Sequence, residues 1–109
     1  MDYKKPRTQP ESLAARRLVA YMRARYWYVG KIGGSKYNVG WPDYYAFHRM
    51  HGHRWIETKT PNGKLKPSQI RRFRQMTEAG DKVYVLTDET HYARLFGPPN
   101  WEMYIRGVI

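Results

Sequence analysis

GWPDYYAFHRMHGHRWIETKT, residues 40–60, sets two strand-prone runs on either side of a His-Gly turn. The runs, about 43–49 and 53–60, are predicted as the two arms of a hairpin. Aromatic and β-branched residues suit a pleated, half-buried surface, and Gly suits the turn. The same stretch holds an uneven use of charge. The chain has 20 Lys and Arg against 9 Asp and Glu. Even so, Asp43 opens the first arm and Glu57-Thr58-Lys59 closes the second. Alternation puts Glu57 and Lys59 on one face and Thr58 on the other. The face that Asp43 takes depends on the turn. A two-residue loop, His51-Gly52, sends it to the face opposite Glu57. A three-residue loop, Met50-His51-Gly52, gives Gly52 the left-handed position that such loops want. In that register Asp43 faces Lys59, and Glu57 is its diagonal neighbour at roughly 7–8 Å. Two carboxylates at that spacing can converge on one hard cation. A cross-strand ion pair between Asp43 and Lys59 accounts for the same residues without one.

Working outward, residues 1–8 read as a flexible basic arm. A helix is predicted from about Pro10 to Arg25, because Pro suits a first helical turn and Thr8 and Glu11 fit a capping box. Glu11, Ala15, Leu18 and Met22 share one face of it. Residues 26–32 read as a strand and 33–42 as a Gly-rich loop. After the hairpin comes the loop TPNGKLKP. A second helix follows from about Pro67 to Ala79, stopped by Gly80, with Ile70, Phe73 and Thr77 as its packing stripe. KVYVLTD, 82–88, is a short buried strand, ETHYARLF a short helix, and the tail WEMYIRGVI a candidate edge strand. The order α-β-β-β-α-β-α makes an α/β fold with a mixed sheet flanked by helices. The length fits one domain over residues 1–109.

Two polar residues on these helices have double readings. Glu11 lies on an apolar face, where an inward carboxylate needs a partner, but the capping box with Thr8 supplies one locally. Gln69, in the first turn of the second helix, is either solvated or aimed at the end of the hairpin.

Charge narrows the function class. A net charge of +11 favours a polyanionic partner, with nucleic acid foremost. Arg16, Arg17, Arg23 and Arg25 on the first helix, Lys64 and Lys66 before the second, and Arg71, Arg72 and Arg74 on it are candidates to grip backbone phosphates. Trp41, Tyr44 and Tyr45 serve either packing or base stacking. His48, His51 and His53 around the turn raise the alternative of a zinc site. Without cysteine there is neither a disulfide framework nor a thiolate site. No apolar leader precedes residue 12, and no run reaches the roughly 20 residues of a membrane span.

Taken in order, Gly40-x-Pro42-Asp43, Glu57-x-Lys59, the helix-opening Gln69 and the Ala79-Gly80 that precedes a Val-rich strand resemble the VRR-NUC domain of the PD-(D/E)XK nuclease superfamily. The resemblance runs from Glu11 to about Asp88. It implies a restriction-endonuclease-like fold and a metal-dependent DNA endonuclease. Asp43, Glu57, the Thr58 carbonyl and an N-terminal acid, Glu11, would hold Mg²⁺, with Mn²⁺ as its substitute. Lys59 would orient or activate the attacking water, and Gln69 would support the site. The likeness to small stand-alone members further implies branched DNA cut in the manner of a Holliday junction resolvase, a homodimer, and the cytoplasm of a bacterial or phage-infected cell. The alternatives are a nuclease acting on flaps or nicks, and a non-catalytic basic module that binds DNA or RNA.

Overall fold

A computed structural model of the chain describes residues 12–106. The first helix, α1, spans Leu13–Arg23. It starts at Ser12 and not at Pro10. Ser12 is extended (φ −63°, ψ 156°), and its hydroxyl accepts the Ala15 N–H at 3.0 Å, which satisfies one of the donors a helix start leaves open. The expected capping box of Thr8 and Glu11, the basic arm and Glu11 itself lie outside the described residues. Ala15, Leu18, Val19 and Met22 are buried, the i, i+3, i+4, i+7 stripe of a helix with one packed face.

The helix closes on Tyr26, which takes φ 73°. Its N–H bonds the Arg23 carbonyl, and the Trp27 N–H bonds that of Met22. This is the paired carbonyl cap that usually requires glycine. The second helix, α2, Pro67–Glu78, ends with the same pattern on a glycine. Gly80 has φ 96°, and the N–H groups of Gly80 and Asp81 bond the carbonyls of Thr77 and Met76. Its buried residues are Phe73 and Met76, with Ile70 packed beside them. Thr77, expected in that stripe, is exposed, and Met76 takes the buried place; the Thr77 hydroxyl accepts from the Trp101 indole at 3.0 Å.

Four strands, β1 (Tyr28–Lys31), β2 (Tyr44–His48), β3 (Gly52–Thr58) and β4 (Val83–Leu86), form one sheet in the order β1-β2-β3-β4. The first three are antiparallel neighbours, and β4 runs parallel to β3 after the crossover through α2. The expected mixed sheet between helices is present. One core lies between α1 and the sheet around Leu18, Met22, Trp27, Tyr44, Ile56 and Tyr84. The other lies under α2 around Leu65, Phe73, Val83, Val85 and Trp101. Buried on both faces, β4 reads as an unbroken apolar run.

The chain then forms two 3₁₀ turns, Glu89–Phe96 and Trp101–Tyr104, so the tail does not add the expected edge strand over its described residues. The exposed edge of β4 is met another way. The Asn100 side chain accepts the Val85 N–H at 2.7 Å and donates to the Val85 carbonyl at 2.9 Å. Pro98 and Pro99, lacking N–H groups, suit a segment that cannot extend the ladder, and one amide side chain stands in for a strand residue.

Candidate active site

The β2–β3 register decides what meets what. Tyr44 pairs with Ile56 and His48 with Gly52, leaving Arg49-Met50-His51 as the loop. A three-residue loop is therefore found, but one residue earlier than expected, which moves each residue's partner by two positions. Gly52 keeps its left-handed φ of 81°, but as the first residue of β3. His48 fixes this register. Its Nδ1 accepts the Met50 N–H at 3.0 Å, so its Nε2 carries the proton and donates to the Arg25 carbonyl at 3.0 Å.

Continuing the pairing one step puts Asp43 opposite Glu57 rather than Lys59. The expected diagonal relation is thus corrected to a direct one, in which side chains lie closer. Lys59 is past the end of β3, where its N–H bonds the Leu86 carbonyl at 3.0 Å. The predicted Asp43–Lys59 ion pair is replaced by two others. Lys59 Nζ lies 3.3 Å from Glu57 Oε2, and Lys31 Nζ lies 3.9 Å from Asp43 Oδ1.

Each acid is held from a different direction. Asp43 Oδ2 accepts the Thr58 N–H at 2.9 Å and the Thr58 hydroxyl at 2.7 Å. Glu57 is 3% exposed. Its Oε2 accepts from Gln69 Nε2 at 2.8 Å. Gln69 is therefore not solvated. Its Oε1 accepts from Lys59 Nζ at 3.1 Å and from the Lys66 N–H at 2.9 Å. The first turn of α2 thus clamps both Glu57 and Lys59. The loop before β2 is seated against that turn. Gly40 has φ 83°, and a Cβ there would fall 2.6 Å from the Ser68 carbonyl oxygen, so only glycine permits the approach.

Glu57 Oε1 is buried and has no hydrogen-bond partner among the described residues. Burial, and then the nearby Asp43 charge, push the Glu57 carboxyl up to about 7, against the opposing pull of Lys59 and Gln69. A buried carboxylate with a free oxygen beside a second carboxylate is short of positive charge. This donor set, hard oxygens and no sulfur, fits a Mg²⁺-class ion. Asp43, Glu57 and the Thr58 carbonyl are the groups that would hold it. Among the described residues no three His, Cys, Asp or Glu are grouped to hold a metal. In particular, both ring nitrogens of His48 are already engaged, which argues against zinc at the three histidines.

Asp43, Thr58 and Lys59, the neighbours of Glu57, line an open cleft of about 1060 Å³ together with Lys31, Lys64 and Asp88, among others. Lys31 and Asp88 were not singled out from the sequence. Nothing in a four-residue strand points one lysine at an acid on a later strand, although an acid just after a buried strand is a usable signal for Asp88. The candidate phosphate contacts separate. Lys64 lines the cleft, and Lys66, Arg16, Arg17, Arg71 and Arg74 are exposed. Arg72 is half-buried with its guanidinium 5.1 Å from the Trp41 ring. Arg23 donates to the Val29 carbonyl, and Arg25 to that of Tyr21. Tyr44 belongs to the core.

A solved structure described as a VRR_NUC domain superposes on this chain with a TM-score of 0.61, covering 74% of this chain and 91% of that one at 22% identity. The fold is that of a VRR_NUC domain. No protein-family model and no curated protein sequence matches the chain. At this identity the VRR_NUC likeness carries the architecture, and the chemistry rests on the side chains.

Proposed function

We propose that this protein is a divalent-metal-dependent endonuclease that hydrolyses phosphodiester bonds in DNA. The observation that carries the reading is Glu57 Oε1, a buried oxygen without a partner among the described residues, beside Asp43, which lines a cleft edged with lysines. The VRR_NUC fold supports the same reading. A bound Mg²⁺ or Mn²⁺ would neutralise phosphate charge and lower the pKa of a water molecule.

The chain's own residues do the rest. Asp43, Glu57 and the Thr58 carbonyl would hold the ion, and Glu11, outside the described residues, is the further acid that the resemblance implies. Lys59 offers its ammonium to charge developing on the phosphoryl oxygens and orients the attacking water. Gln69 is a positioning residue, fixing Glu57 and Lys59 relative to each other. Thr58 holds Asp43 by two hydrogen bonds, which orients the carboxylate before substrate arrives. Lys64, Lys66 and the exposed arginines of both helices hold the DNA backbone. By its resemblance to stand-alone domains of this kind, the substrate is branched DNA and the acting form a homodimer, since one site cuts one strand and a junction needs two cuts.

The test uses labelled linear duplex, flap and four-way-junction DNA, each with Mg²⁺, Mn²⁺ or EDTA, and the variants Asp43→Ala and Lys59→Ala. Metal-dependent cutting that falls by about 10²-fold or more in both variants is expected, with paired nicks in the junction. Tight binding without cutting under either metal overturns the enzyme reading and leaves a basic nucleic-acid-binding module.

A further inference from the structure

The sheet face that carries Glu57 is only half covered. Helix α2 and the last 3₁₀ turn pack over the β3–β4 half. Over the β1–β2 half, a row of aromatic rings crosses the strands instead. Tyr28 stacks on Phe47 with centroids 4.9 Å apart and planes at 15°. Phe47 meets Tyr45 at 6.1 Å, Tyr45 meets Trp55 at 4.8 Å, and Trp55 meets Trp41 at 5.5 Å. The row is therefore continuous from the edge strand to Trp55, two residues before Glu57. It is also accessible, with Tyr28 65% and Phe47 44% exposed. Gly30 pairs with Tyr45 and has no side chain to cover it. Rings of this size would normally be buried, and so many in one exposed patch mark a contact surface.

Charge selects the occupant. Helix α2, which packs over the other half of the same face, carries Arg71, Arg72 and Arg74, and the Arg72 guanidinium lies 5.1 Å from the Trp41 ring at the end of the row. A second copy of the chain would bring two such cationic flanks together, at an electrostatic cost. A polyanion with flat, stackable faces meets both features of the surface. We infer that the Tyr28–Phe47–Tyr45–Trp55 row is a platform for unpaired nucleotides of the substrate, leading a single strand along the sheet away from Asp43 and Glu57, which share its face. Base stacking on such rings tolerates any sequence, because every base offers a π-face, while the phosphates follow the basic flank. Paired bases, stacked within a helix, present no free face to it. The inference rests on nucleic acid being the substrate, but not on the protein being able to cut it.

The experiment measures fluorescence anisotropy of a labelled oligothymidylate and of a duplex of equal length in EDTA, so that no cleavage is involved. The wild type is compared with Tyr28→Ala/Phe47→Ala, with the ring-preserving Tyr28→Phe/Phe47→Tyr, and with the folding of each checked by circular dichroism. Loss of about tenfold or more in oligothymidylate affinity is expected for the alanine pair, given the usual effect of removing a stacking ring. Duplex affinity should move less than about twofold, and the ring-preserving pair should bind as the wild type does. Equal losses on both DNAs, or no loss, overturn the platform. So does sedimentation showing a wild-type dimer that the alanine pair dissociates, which would make the face a self-interface. Failure of the wild type to cut any DNA sinks the nuclease reading and leaves this binding result intact.

Discussion

Replacing Glu57 by Gln should change how stability depends on pH, with a size that follows from the site. The folded protein holds the Glu57 carboxyl near 7 against an ordinary 4.5, chiefly because it is buried and secondly because Asp43 is close. A raised carboxyl pKa means that the folded state keeps a proton that the unfolded chain has released. Its contribution is therefore fully present below about pH 4.5 and is lost as pH rises through about 7. A gap of about 2.5 units at about 1.4 kcal/mol each amounts to roughly 3 kcal/mol across the window. Glu57→Gln removes the ionisation but not the side-chain bulk. Urea unfolding of both proteins without metal, at half-unit steps from pH 5 to 8, isolates this one group from the other acids. The variant should gain on the wild type by more than about 2 kcal/mol over that range. Adding Mg²⁺ at pH 8 should restore the wild type and leave Glu57→Gln unmoved. A wild-type-minus-variant difference that stays flat from pH 5 to 8 refutes the reasoning. It would mean that Glu57 is solvated, or already compensated by Lys59.

Asn100→Ala should destabilise the fold by about 1–3 kcal/mol, the cost of leaving the buried Val85 N–H unpaired; amide exchange at Val85 should accelerate in parallel, and an unchanged exchange rate would count against the edge-closing role. Tyr26→Gly should stabilise the fold by about 0.5–1 kcal/mol and so raise the urea midpoint, because glycine takes the left-handed helix cap without strain and the Tyr26 ring, 79% exposed, has little packing to lose. A lower midpoint would show that the ring contributes more than its backbone costs.

Much of this arrangement can be read without coordinates. The apolar stripe of α1, the Pro67 start and Gly80 stop of α2, the run of valines in β4 and the two arms of the hairpin are local patterns set by helix and strand periodicity. The order of those elements limits the fold to a mixed sheet between helices. The rarity of acids in a basic chain drew attention to Asp43 and Glu57. Local sequence also misled at some points. Ser12, a better cap than Pro10 is a start, began the first helix, and Tyr26 ended it with no glycine to announce the turn. In the tail, WEMYIRGVI has strand-like composition, but the preceding prolines and the Asn100 side chain close the sheet before the tail can join it.

The register of the hairpin shows where sequence stops. A shift of two residues keeps every side chain on its face, so alternation cannot choose between Asp43 opposite Lys59 and Asp43 opposite Glu57. The choice was made by His48 bonding a carbonyl at the end of α1, a contact across 23 residues. Gln69 is similar. Its periodicity is that of a solvated helix position, and only the packing of α2 beside the end of β3 turns it toward Glu57 and Lys59. Sequence by itself determined which residues were available: two acids, a lysine and a glutamine on elements that must lie near one another. Tertiary structure alone decided that one acid is buried with a free oxygen, because burial is a property of what packs around a side chain.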